Sequence, residues 1–154
     1  MSTELEFLKN GAEYNYKKDG YIAPFAFIFA GRYSGAIPLV KLDRAQWPEA
    51  IKAACEALNA DAYGMITEAW ISKINKEDPL FQKIHDGVIQ IRDLPLEKKQ
   101  SVIWAIYVKR DGETAFETRE VEYVGDGEYA LADNWNGAAG DDLGNIGGRM
   151  VVRW

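Results

Sequence analysis

"SVIWAIYVKRDGETAFETREVEYV", residues Ser101 to Val124, decides how the rest of the chain is read. Its opening segment, "SVIWAIYVK", is apolar on both faces, as a strand in the middle of a sheet is. "RDGE" follows, and Asp-Gly suits a tight primed turn because its residues tolerate a positive φ. "TAFETREVEYV" then returns with charges at alternate positions, the pattern of a strand with one wet face. Strands joined this tightly run antiparallel. Beyond them "GDGE" marks a second turn into "YALA", and "RMVVRW" reads as a short final strand.

Working back toward the N-terminus, "AYGMITEAWISK" (Ala62 to Lys73) reads as a strand. "YIAPFAFIFA" (Tyr21 to Ala30) reads as another, buried on both faces, with Phe25, Phe27 and Phe29 opposite Ala26, Ile28 and Ala30. "GRYSGA" is expected to connect it to "IPLVKL". Three stretches have helical spacing. Thr3 and Glu6 form a capping box ahead of Leu5, Leu8 and Ala12, predicting a helix over Thr3 to Tyr16 that Gly11 weakens. Trp47, Ile51, Ala54, Cys55 and Leu58 make an apolar stripe, with Asp43 and Gln46 as a capping box and Pro48 competing for the start. Asp78-Pro79 opens a short third helix that Gly87 ends, with Leu80, Phe81 and Ile84 as its buried side. The expectation is one α+β domain spanning 1–154, a largely antiparallel sheet with two or three helices packed on one face.

Composition narrows the chemistry. The 154 residues are 47% hydrophobic and carry 18 Lys and Arg against 24 Asp and Glu, a formal charge of −6. That size supports a real core, and that balance speaks against a phosphate-binding surface, so nucleic acid is not an expected partner. The N-terminus has no basic region leading into an apolar run, and the longest apolar stretch is about half what a membrane helix needs. A soluble, cytoplasmic protein without a membrane partner is expected. Cys55 and His85 are the chain's single Cys and single His. A disulfide framework is therefore ruled out, and zinc would have to borrow carboxylates or a second subunit. As a nucleophilic pair they are weak, since Cys55 sits in the apolar stripe and His85 in a helix's last turn.

Three features compete for function. The first is "ALADNWNGAAGDDLGNIGGRM", where Asp133, Asn134, Asn136, Asp141, Asp142 and Asn145 crowd oxygen ligands into one loop. Ca²⁺ is the ion such oxygens suit, but the alternating EF-hand order breaks at Trp135 and no distal Glu follows. A phosphate loop fails as well, because the glycines lead toward a strand instead of a helix N-terminus. The loop serves either as a connection or as a ligand contact, and no cofactor is implied. The second is Glu68, which shares a strand face with Ile66 and Trp70 and would have a raised pKa if that face is covered. Its bland alternatives are pairing with a neighbouring cation or facing water. The third is aromatic: Trp135 and Trp154 lie near a loop and a terminus, as interface residues or as packing lids. Trp70 and Trp104 read as core.

"LNADAYGMITEAWISK", a helix end followed by a strand ending in Glu-Ala-Trp, resembles small proteins of unassigned activity in bacterial and phage genomes. "IRDLPLEKKQSVIWAIYVKRDGE" is compatible with the same outline. The resemblance covers about the middle half of the chain, implies an α+β fold and carries no activity. The leading expectation is a non-enzymatic binding or interaction module that self-associates into a homo-oligomer or binds another protein. The alternative is a small-ligand or divalent-cation-dependent hydrolase-like site built from Glu68 and the acidic loop 133–145.

Overall fold

Asp-Gly appears twice, and the two turns close differently. Asp126 and Gly127 both have positive φ, 53° and 77°, between paired Gly125 and Glu128, the two-residue primed turn that Asp-Gly favours. At Arg110 to Gly112 only Gly112 is left-handed, at φ 96°, and Lys109 N–H donates to Glu113 O at 2.8 Å across a three-residue loop. The tight primed turn expected there is thus replaced by a longer loop. The Asp111 carboxylate accepts Glu113 N–H at 2.9 Å, which favours keeping Asp111 in ordinary backbone space.

The computed structural model describes residues 3–137 and residue 154. These build an α+β fold whose elements are α1 (Thr3–Asp19), β1 (Phe25–Ala30), β2 (Tyr33–Pro38), α2 (Trp47–Leu58), β3 (Ala62–Ser72), α3 (Pro79–His85), β4 (Lys99–Lys109), β5 (Thr114–Gly125), β6 (Glu128–Leu131) and β7 (Asn136–Gly137). The strands form one sheet in the order β2-β1-β3-β4-β5-β6, with β7 also on β5. Every described pairing is antiparallel. The helix between β2 and β3 therefore makes no parallel neighbour, because β1 lies between those strands.

The helices do not share a face. Leu5, Leu8, Ala12 and Tyr16 of α1 pack on Ala62, Ile66, Ile103 and Ala105, whereas Trp47, Ile51 and Cys55 of α2 pack with Tyr63, Met65, Trp104 and Ile106. Successive strand residues point to opposite faces, so α1 and α2 lie on opposite sides of the sheet. The cause is in β3 and β4, apolar on both faces, which one layer of helices would leave half wet. The third helix has no buried residue; Leu80, Phe81 and Ile84 are half-buried. Asp78 caps it, accepting Leu80 N–H at 2.9 Å.

Two strand boundaries differ from expectation. "GRYSGA" is mostly strand, because Gly31 and Arg32 alone form the turn between paired Ala30 and Tyr33. Gly31 takes φ 61° there, and β2 stops at Pro38, whose nitrogen offers no N–H to a ladder. β1 begins at Phe25, and its phenylalanine row is half-buried, since α1 sits over β3 and β4. The expected final strand "RMVVRW" lies outside the described residues apart from Trp154.

Candidate functional site

Among the described residues β2 is the last strand on its side of the sheet. Leu39 N–H donates to Pro24 O, and Phe29 O turns the other way to accept from Asp61 N–H. That alternation fixes the rest: Tyr33, Gly35 and Ile37 aim their backbone groups at β1, while Ser34 and Ala36 aim theirs outward. Among the described residues no strand or loop pairs with that outer edge. Tyr33–Pro38 contains no charged residue, and Pro38 stands only at its end. Edges that avoid association usually carry lysines, bulges or internal prolines. Beside this edge, Phe7 of α1 meets Phe27 edge-on at 5.5 Å and Phe29 at 6.4 Å. Phe7 stays 51% exposed and Tyr33 58%. A shallow depression of about 260 Å³ lies here, lined by Thr3, Glu4, Phe7, Phe29, Arg32 and Tyr33.

Glu68 lies on the α1 face, half-buried past the end of that helix. Its Oε1 accepts Ile22 N–H at 2.8 Å and so ties down the chain between α1 and β1. Burial raises its pKa, and the Ile22 hydrogen bond only partly opposes that. Burial, then the Glu68 charge, then Tyr129 push the Tyr16 phenol up in turn. On the same face Trp70 is 40% exposed, under Lys99 Nζ at 4.2 Å from the ring centre. Trp70 is therefore no core residue; the end of β3 runs past the helix that would cover it. Trp104 is core, 1% exposed and 5.3 Å from the Phe116 ring.

The acidic loop starts at a charged clamp. Lys9 Nζ bonds Glu6 at 3.1 Å and Glu117 at 3.2 Å, and Arg119 pairs with Glu13 at 2.9 Å. Burial works against the Lys9 charge, but the hydrogen bonds to Glu6 and Glu117 outweigh it and hold its pKa up. Arg119 Nε also donates to Ala132 O, and Lys9 sits 5.7 Å from the Trp135 ring centre. Trp135 is half-buried against the α1-side core; Asp133 and Asn134 are exposed, and Asn136 is exposed in β7 opposite Thr118. Asp141, Asp142 and Asn145 lie outside the described residues. No cluster of three or more His, Cys, Asp or Glu suited to a metal occurs among the described residues.

The remaining candidates separate plainly. Trp154 is half-buried, its indole N–H donating to Ala60 O at 3.1 Å and its ring 5.5 Å from Tyr63. Cys55 is fully buried, with burial and then Glu56 pushing its thiol up to about 11, while His85 is exposed. A thiol with so little thiolate is a poor nucleophile. No described helix is long and apolar enough to cross a membrane. The outward pair Ser34 and Ala36 escaped the sequence because "GRYSGA" read as turn; alternation counted back from Pro38 is the signal that would have found them.

Comparison with known proteins found no matching family model, no matching curated protein and no matching solved structure.

Proposed function

We propose that this protein is a soluble, cytoplasmic interaction module without catalytic activity, and that its first partner is a second copy of itself. The observation that carries this reading is the β2 edge: a strand outermost among the described residues, with outward backbone groups, no charge and no interrupting proline. The half-exposed aromatics beside it add apolar surface. Sedimentation velocity from about 1 to about 200 µM, the range where weak assemblies form, tests it. A sedimentation coefficient rising with concentration is the expected result, and one that stays at the monomer value throughout counts against the reading.

A second reading is favoured by Glu68. A half-covered carboxyl held toward its protonated form, next to a phenol it perturbs, is a combination common at acid–base sites. In that reading Glu68 works with the acids of loop 133–145 on a small ligand, with or without Ca²⁺. Calorimetric titration of Ca²⁺ into wild type and into Asp141→Asn/Asp142→Asn tests it; wild type that takes up no Ca²⁺ removes the metal-dependent form.

A further inference from the structure

We infer that two copies join through β2, antiparallel, with Gly35 on the two-fold axis, so that the sheet continues from one protomer into the other. This rests on the self-association reading and specifies its surface. Because Ser34 and Ala36 are the strand residues with outward backbone groups, a partner strand must match outward residue to outward residue. Three registers do so. Centring on Ala36 sets Ser34 against Pro38 of the second copy, where no N–H is available. Centring on Ser34 sets Ala36 against Arg32, which belongs to the turn. Centring on Gly35 pairs Ser34 with Ala36 in both directions, each exchanging N–H and C=O, and leaves Pro38 opposite Arg32 only beyond the two ends of these pairs.

The axis residue fits its place. The pair on the axis is of the non-hydrogen-bonded kind, where Cα atoms approach to about 4.5 Å, and Gly35 brings no β-carbon to that approach. Its own chain's Tyr33 hydroxyl lies 3.0 Å from where a β-carbon would stand, so that exposed ring fills the space. The phenylalanine row of β1 lies one strand in from the contact, so the joint is mainly edge to edge. Such a joint falls below the roughly 1,200 Å² of a stable interface, and its dissociation constant is expected in the micromolar range.

The test combines sedimentation with crosslinking on the full chain. Wild type is expected to dimerise with rising concentration, and Ala36→Lys to shift dissociation at least tenfold toward monomer with unchanged thermal unfolding. Ala36→Pro, which removes an outward N–H, should do the same; Ala36→Lys decides alone if the proline variant does not fold. Under mild oxidation Gly35→Cys should give a disulfide-linked dimer and Ser34→Cys should not, because Ser34 faces Ala36; Cys55 is buried and does not compete. A wild type that associates while Ala36→Lys associates equally and Gly35→Cys stays unlinked overturns the β2 joint and leaves self-association standing. A wild type monomeric at every concentration overturns both.

Discussion

Leu8 of α1 stands directly over Gly64 of β3: a β-carbon at 64 would lie 2.8 Å from Leu8 Cδ2, 3.1 Å from Cγ and nearer still to Cδ1. The glycine is what lets α1 reach the sheet, and Leu8 is fully buried as a result. Gly64→Ala is therefore expected to overpack this contact and cost about 1–3 kcal/mol. Leu8→Ala alone opens a cavity at a cost of about 2–5 kcal/mol. Because each change relieves the other, the double variant should lose clearly less than the sum in urea unfolding, and strict additivity would show that the contact is not limiting.

Lys9 and Glu117 join α1 to β5 with side chains only 10% and 16% exposed, whereas Lys109 and Glu113 are 44% and 70% exposed. The first pair is largely out of water and the second is screened. Lys9→Met should cost about 1–3 kcal/mol by stranding Glu117, with part regained on adding Glu117→Gln. Lys109→Ala should stay within about 0.5 kcal/mol. Equal losses at both sites would contradict this ranking.

Glu68 makes stability depend on pH in a definite direction. Its folded pKa is raised above the ordinary 4.5, first by burial, so the folded state holds the proton more tightly than the unfolded chain. The stability it contributes is fully present below about 4.5 and is lost as pH rises through the folded value. Glu68→Gln keeps an acceptor for Ile22 N–H and never ionises. Its melting temperature relative to wild type should therefore be higher at pH 7 than at pH 4; a reversed trend would mean the folded pKa is lowered. Glu68→Ala strands that N–H and should cost about 1–2 kcal/mol at pH 4 and less at pH 7, where wild type itself carries the half-buried charge.

The Cys55 thiol, fully buried and pushed up to about 11, should resist a thiol reagent at pH 8 in the native state and react at once in denaturant. Rapid native modification would contradict its placement in the core.

Trp154→Phe should keep the ring against Tyr63 but lose the bond to Ala60 O, costing about 1 kcal/mol. Trp154→Ala should cost more, about 2–3 kcal/mol, because the ring contact goes too. Two indistinguishable unfolding midpoints would mean that the ring adds nothing.

What was legible in the amino-acid sequence is what neighbours along the chain decide. The β4–β5 hairpin, the stripe of α2, the Asp78 cap and the span of β3 all follow from spacing and turn chemistry acting over a few residues. So does the core place of Cys55, fixed by its register within the stripe. Only the tertiary structure decided that α1 and α2 take opposite faces, since that depends on how two-sided strands are shared out and on Leu8 meeting Gly64. It alone decided that Glu68 is held by Ile22, 46 positions away in sequence, and that Trp70 runs out beyond its cover. That β2 has no outer neighbour among the described residues belongs with these. A strand's own residues specify its alternation, but whether another strand lies beside it depends on strand order, which long-range pairing sets and local pattern does not encode.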